Sequence, residues 1–201
     1  MNTHTRASDV ATAERPADDG LPRRRRWTMS EVEKAVVAGI LHEDEHIELI
    51  DGDLVAMSPK GRHHEIVRHA LVNRWATLRP ETIMLGVEPA LHLDEEHTPE
   101  PDLILYPAPI FAPDVRGETV LLVIEISDSS YSYDIKIKGP LYARFGVREY
   151  WVIDARSLKT TIHREPGIDG YSDIREYEPD ERVEPLAAPM LGLKISELRT
   201  E

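Results

Sequence analysis

The chain has 201 residues, no cysteine and a formal charge of −13. That length suits one sizeable core, the missing cysteines exclude disulfides and thiolate metal sites, and no apolar run is long enough to span a membrane. The charge excludes a protein that coats nucleic acid non-specifically through displaced counterions, but not an enzyme with a local basic surface beside an acidic metal site.

The absence of cysteine fits a reducing cytosol, and the N-terminus lacks the apolar stretch of a secretory signal, so a cytoplasmic location is expected. Residues 1–26 read as a disordered leader and 27–201 as the folded domain. The leader ends in the basic run Arg23 to Arg26, which is short enough that a solvated segment is preferred to a phosphate-contacting arm.

Ser30 and Glu33 have capping-box spacing and predict a helix from there to Gly39. His46 to Ile50 alternates polar and apolar residues, Asp51-Gly52 signals a hairpin turn, and Asp53 to Met57 returns as a second strand. After the break at Ser58-Pro59-Lys60-Gly61, apolar residues at Ile66, Val67, Ala70, Leu71, Trp75 and Leu78 recur with helical period and predict a helix over 62–78. Strands follow at 82–93, broken near Pro89, and at 102–106, with an acidic, proline-bearing loop at 94–101 between them. Thr119 to Ile126 is an almost continuous apolar run, the pattern of a central strand buried on both faces. A helix within 134–145 stops at Gly146. Val147 to Asp154 is the next strand, 160–164 and 171–177 add edge strands, and 186–198 is weakly patterned. Strands with interspersed helices predict an α/β fold with a mixed sheet flanked by helices.

Two acids stand out on this framework. Asp102 opens one strand, and Glu125 lies late in the buried one. A carboxylate within Leu121-Leu122-Val123-Ile124-Glu125-Ile126 is costly to ionise without a cation or hydrogen-bond partner. Mg²⁺ takes oxygen ligands and is often held by one or two carboxylates plus waters and substrate phosphates, so two acids at the ends of adjacent strands suit it. Such an ion lowers the pKa of a water that attacks phosphorus, and a nearby lysine steadies the developing charge. The competing reading pairs Glu125 with an arginine or turns it to solvent.

At these residues the sequence resembles the Uma-type restriction endonuclease family of the PD-(D/E)XK nuclease superfamily. The resemblance rests on Glu48 to Pro59, His64, Pro101-Asp102-Leu103, Ile124-Glu125-Ile126-Ser127, Asp134 with Lys138 and Tyr142, and Gly146 to Asp154. It covers roughly 27–198 and implies a restriction-endonuclease-like core with Mg²⁺-dependent hydrolysis of DNA phosphodiesters, Mn²⁺ being an alternative ion. Asp102 and Glu125 take the places of the metal-binding acids. The lysine of the simplest pattern lies two residues after the second acid, where this chain has Ser127, and the resemblance points instead to Lys138 as a migrated lysine. Gly139-Pro140 interrupts the helix beside it, so that the helix either starts near Pro140 or is kinked, with Lys136 as the fallback. Glu65 is a candidate third acid and His64 a candidate contact to the metal-bound water or a phosphate, an exposed helix start being the alternative for each.

His63 to His69 does not form the zinc-protease pattern, because Arg68 stands four residues after His64. Tyr150 and Trp151 face opposite sides of a strand and cannot form one stacking platform. Tyr142 reads as packing. The expected function is DNA cleavage by Asp102, Glu125 and Lys138. The rival is a non-catalytic DNA-binding or assembly module of the same fold, and a nuclease for RNA or small phosphodiesters would use the same residues. Restriction-type cleavage of both strands calls for two active sites, which a homodimer supplies; no residue in the sequence marks its interface.

Overall fold

The computed structural model describes residues 25–42 and 44–198. The expected leader therefore lies outside the described residues except for Arg25 and Arg26, which pair with Glu31 and Glu96 at 2.7 and 2.9 Å.

Helix α1 (Met29–Val37) has Thr28 as its N-cap, two residues before the expected cap at Ser30. The capping-box spacing occurs twice, at Thr28–Glu31 and Ser30–Glu33, and the helix uses the first. Thr28 Oγ1 accepts from the Glu31 N–H and Glu31 Oε2 accepts from the Thr28 N–H. Bonds from the Trp27 N–H to Gly52 and from the Met29 N–H to Glu95 fix the entry of the chain and favour that choice. Strands β1 (Ile47–Ile50) and β2 (Asp53–Ala56) form the expected hairpin. Asp51 and Gly52 both have positive φ, 51° and 71°, as a tight turn between right-twisted strands requires.

Helix α2 (Arg62–Leu78) has the bounds its apolar period predicts and buries Val67, Leu71 and Trp75 along one stripe. The main sheet has six strands in the order β3 (Ile83–Val87), β4 (Leu103–Pro107), β5 (Leu122–Ser127), β6 (Glu149–Asp154), β7 (Thr160–Gly167) and β8 (Gly170–Tyr177). Only β5 and β6 run parallel. The expected edge strand at 160–164 is interior, since β8 pairs beyond it.

The parallel pair needs a crossover, and residues 131–144 supply it. One α-turn, α3 (Tyr131–Tyr133), widens into a π-turn over Asp134–Lys138 and continues as α4 (Gly139–Arg144). The helix neither starts at Pro140 nor breaks there. Pro140 has no N–H, and its ring crowds the carbonyl four residues back. The wider turn, in which the Gly139 N–H bonds to Asp134 O, accommodates it.

Alternation along β4, β5 and β6 divides their side chains between two cores. On one face Leu103, Leu122, Ile124, Ile126 and Trp151 pack with α2. On the other, Ile104, Val123, Tyr142, Tyr150 and Val152 pack beneath α4. Tyr150 and Trp151 thus enter opposite cores. Residues after β8 add a two-stranded ribbon, β9 (Arg182–Val183) with β10 (Leu193–Lys194), and short 3₁₀ turns over the α2 core. No helix among the described residues is long and apolar enough to cross a membrane.

Candidate active site

The last residues of β5 meet the start of β4, the middle of β1 and the π-turn around one cleft of about 280 Å³. Parity decides what enters it. Val123, Glu125 and Ser127 share the α4 face of β5, and Asp102 has the parity of Ile104, so both acids lie on the same side of the sheet. Glu48, Asp102, Glu125, Asp134, His64 and Lys138 are all buried and all line the cleft.

Lys138 lies between two glutamates. Its Nζ donates to Glu48 Oε1 at 2.8 Å and to Glu125 Oε1 at 2.9 Å, and Tyr142 Oη donates to the same Glu125 oxygen at 3.1 Å. Burial alone would discharge the lysine, but Glu125, Glu48 and Asp134 outweigh it and raise its pKa, so Lys138 is an ammonium. Glu125 is pushed well above the ordinary carboxyl range, first by burial and then by Asp134, Asp102 and Glu48, with Lys138 opposing.

Asp102 lies in a different field. Its Oδ2 accepts from the Ile126 N–H at 2.7 Å, while Oδ1 meets His64 Nε2 at 2.8 Å and Lys60 Nζ at 3.1 Å. A carboxylate only accepts, so the His64 proton sits on Nε2. Burial raises the Asp102 pKa, but His64, Lys60 and the Ile126 amide more than offset this and hold it below the usual range.

The structure also places the remaining candidates. Glu65 pairs with Arg68 at 2.5 Å and approaches His64 Nδ1 at 3.3 Å without lining the cleft, whereas Glu48, from β1, and Asp134 line it beside Asp102 and Glu125. Lys136 is exposed. Ser127, at the position of the superfamily's simplest lysine, donates to Asp134 Oδ2, which Ser130 also supports. Tyr142 is packed in the core and in addition holds Glu125. Sequence reading missed Glu48 and Lys60 as site residues. Glu48 opened a stretch that carries the family resemblance and stood as an acid on an alternating strand, but alternation cannot say what that face meets. Lys60 lies in a proline-bearing loop with no periodic signal at all.

That loop sits tightly against the one after β5. A Cβ at Gly61 would meet the carboxylate of Asp128, which would have to swing aside. Lys60, in the same loop, lies over Asp102 and is also paired with Glu88.

The donor set is entirely oxygen and nitrogen, with no thiolate in the chain. Among the described residues no three His, Cys, Asp or Glu side chains converge as a ready-made metal cage. Two carboxylates on an open cleft are nonetheless what a hard ion such as Mg²⁺ uses when waters and phosphates complete its shell. The residues fit such an ion and do not fit a structural zinc.

Comparison with family models matches residues 31–196 to Uma2, described as "Putative restriction endonuclease". The chain belongs to this family. Among solved structures, this Uma2 chain is similar to "a putative nuclease belonging to DUF820" from Anabaena variabilis ATCC 29413. The TM-score is 0.68 at 19% identity, covering 85% of this chain and 96% of that one. At that identity the likeness is one of fold, and it extends to the six-stranded mixed sheet flanked by helices. No curated protein matches.

Proposed function

We propose that this protein is a metal-dependent endonuclease of the PD-(D/E)XK type that hydrolyses DNA phosphodiester bonds. The observation that carries this reading is the buried Lys138 ammonium between Glu48 and Glu125, in a cleft that also holds Asp102. The non-catalytic alternative expects the lysine to point away from the acids or arginines to satisfy them, and neither arrangement is present at Glu125.

Asp102 and Glu125 would hold Mg²⁺, or Mn²⁺ in its place, and the bound ion would polarise the phosphate and acidify a water. Lys138 stays protonated and so cannot serve as the base; its role is to hold the charge that develops on the phosphate oxygens or to position the attacking water. Glu48 fixes the lysine from the far side, and Tyr142 fixes Glu125. His64 and Lys60 keep Asp102 ionised, ready for a cation, and Lys60 at the cleft mouth can exchange that contact for a substrate phosphate.

The test is nicking of supercoiled plasmid by the full chain with Mg²⁺ or Mn²⁺. Cleavage that EDTA stops, and that Asp102→Ala and Lys138→Met each reduce by about a hundredfold or more, is the expected result. Equal cleavage by parent and Asp102→Ala would exclude this site. Cleavage of RNA but not DNA would keep the site and change the substrate.

A further inference from the structure

Strand β8 ends the six-stranded sheet, and β7 pairs with its inner side only. Among the described residues no other segment makes a backbone hydrogen bond to it. An open edge is a template for another strand, and proteins commonly blunt it with charge. Strand β8 does carry charges, but their order is not that of a blunted edge. It reads Tyr171-Ser172-Asp173-Ile174-Arg175-Glu176-Tyr177, with opposite charges placed symmetrically about Ile174.

We infer that β8 pairs antiparallel with β8 of a second copy of this chain, about a two-fold axis through Ile174, so that the two sheets become one. In that register Asp173 lies opposite Arg175 of the second copy, and Arg175 opposite its Asp173. Ser172 lies opposite Glu176, and Ile174 opposite itself. Directly opposed side chains share a face, with Cβ atoms about 4.5–5.5 Å apart, close enough for both ion pairs to form.

The same sequence rejects the neighbouring registers. A two-fold axis across an antiparallel pair must pass through a residue, because a half-step would oppose side chains that point to different faces. Moving the axis to Asp173 places two aspartates opposite each other; moving it to Arg175 places two arginines so. Like charges in direct opposition destabilise the pair.

Exposure agrees with this occupant. Ile174 is 55% exposed, large for an isoleucine in the middle of a strand, and the pairing covers it. Arg175 Nε donates to Asp173 Oδ1 at 2.8 Å within the chain. The two residues therefore already lie side by side on one face, where the second copy's pair would close a ring of four alternating charges. A single strand edge is a small contact, so the dimer should dissociate on dilution.

The experiment is sedimentation velocity of the full chain over a wide concentration range, with circular dichroism to show that each variant is folded. The parent should move from monomer towards twice the monomer mass as concentration rises. Asp173→Arg and Arg175→Asp, made singly, each place like charges opposite and should remain monomeric throughout. The double exchange Asp173→Arg with Arg175→Asp restores both pairs with signs reversed and should restore the dimer. Ile174→Lys gives an independent disruption at the axis. A parent that is monomeric at every concentration would overturn the proposal. So would a dimer that the single reversals leave intact, or a folded double exchange that stays monomeric. None of these outcomes depends on whether the protein cleaves DNA.

Discussion

Asp102 accepts from His64 Nε2 and the Ile126 N–H and faces Lys60, whereas Glu125 meets Lys138 among three other acids. The two carboxylates therefore act on the fold in opposite directions. The Asp102 pKa is lowered on folding, so its stabilisation is present above the unfolded value and is lost as pH falls through the folded one. The Glu125 pKa is raised, so its stabilisation is complete below the ordinary value of 4.5 and is lost as pH climbs through the folded value. Asp102→Asn should lower the melting temperature at neutral pH by roughly 3–12 °C, since charge-assisted bonds of about 1.5–3 kcal/mol are lost and each kcal/mol is worth about 2–4 °C in a chain of this size. Glu125→Gln should melt about 2–4 °C above the parent at neutral pH, because Lys138 keeps Glu48 and one excess buried acid is gone. That gap should close as pH is lowered towards 4.5. Thermal melts across pH check both signs, and a Glu125→Gln variant less stable than the parent at neutral pH would show that the Lys138 pair outweighs burial.

At the level of elements, the crossover from β5 to β6 shows what a sequence can and cannot reveal. Helix α2 was legible to the residue because its apolar stripe meets a flat core, and the first hairpin because Asp51-Gly52 suits few other turns. The helix carrying Lys138 was not, because Gly139 and Pro140 are breakers by propensity and only tertiary packing of Leu141, Tyr142 and Ala143 holds a π-turn in place. Asp102, Glu125, His64 and Lys138 were each visible as residue types in a pattern. Pro140 signalled a disturbed turn, but not that the disturbance would be a one-residue widening that leaves the ammonium against Glu125. Glu48 was not singled out as a site residue because its partner Lys138 lies 90 residues away. If packing holds the turn, glycine is not needed at 139. An added Cβ meets Asp134 O at 3.6 Å and Tyr150 Cε1 at 3.8 Å, ordinary contacts, and φ is −56°. Gly139→Ala should then stabilise the chain by about 0.5–1 kcal/mol through backbone entropy and leave cleavage unchanged. A melting temperature below that of the parent would mean that the π-turn does rely on glycine.

For the whole molecule, the decisive feature is that the sheet has two cores and that chain order completes them at different times. The core under α4 is closed by elements up to β8, but the core under α2 stays open until the last residues arrive. Leu191, Leu193, Ile195 and Leu198 are buried there against Trp75 and Ile126, Trp75 Nε1 donates to Leu191 O at 3.0 Å, and the Leu186 N–H donates to the fully buried Glu149. This tail looked weakly patterned because its ribbon has two-residue strands and its turns are 3₁₀, so neither periodicity has room to show. Burying four such side chains is worth roughly 6–12 kcal/mol at about 1.5–3 kcal/mol each, as much as the whole stability of a typical domain, about 5–15 kcal/mol. A chain ending at Glu184 should therefore lose its cooperative melt, expose Trp75 and quench or red-shift its fluorescence, while any plasmid nicking disappears with the fold. The same truncation removes nothing that lines the cleft. If the shortened chain still melted cooperatively near the parent temperature, the α2 core would have to be closed by β3 to β7 alone, and Glu125, whose strand neighbours Ile124 and Ile126 lie in that core, would be held in place by the sheet rather than by the tail.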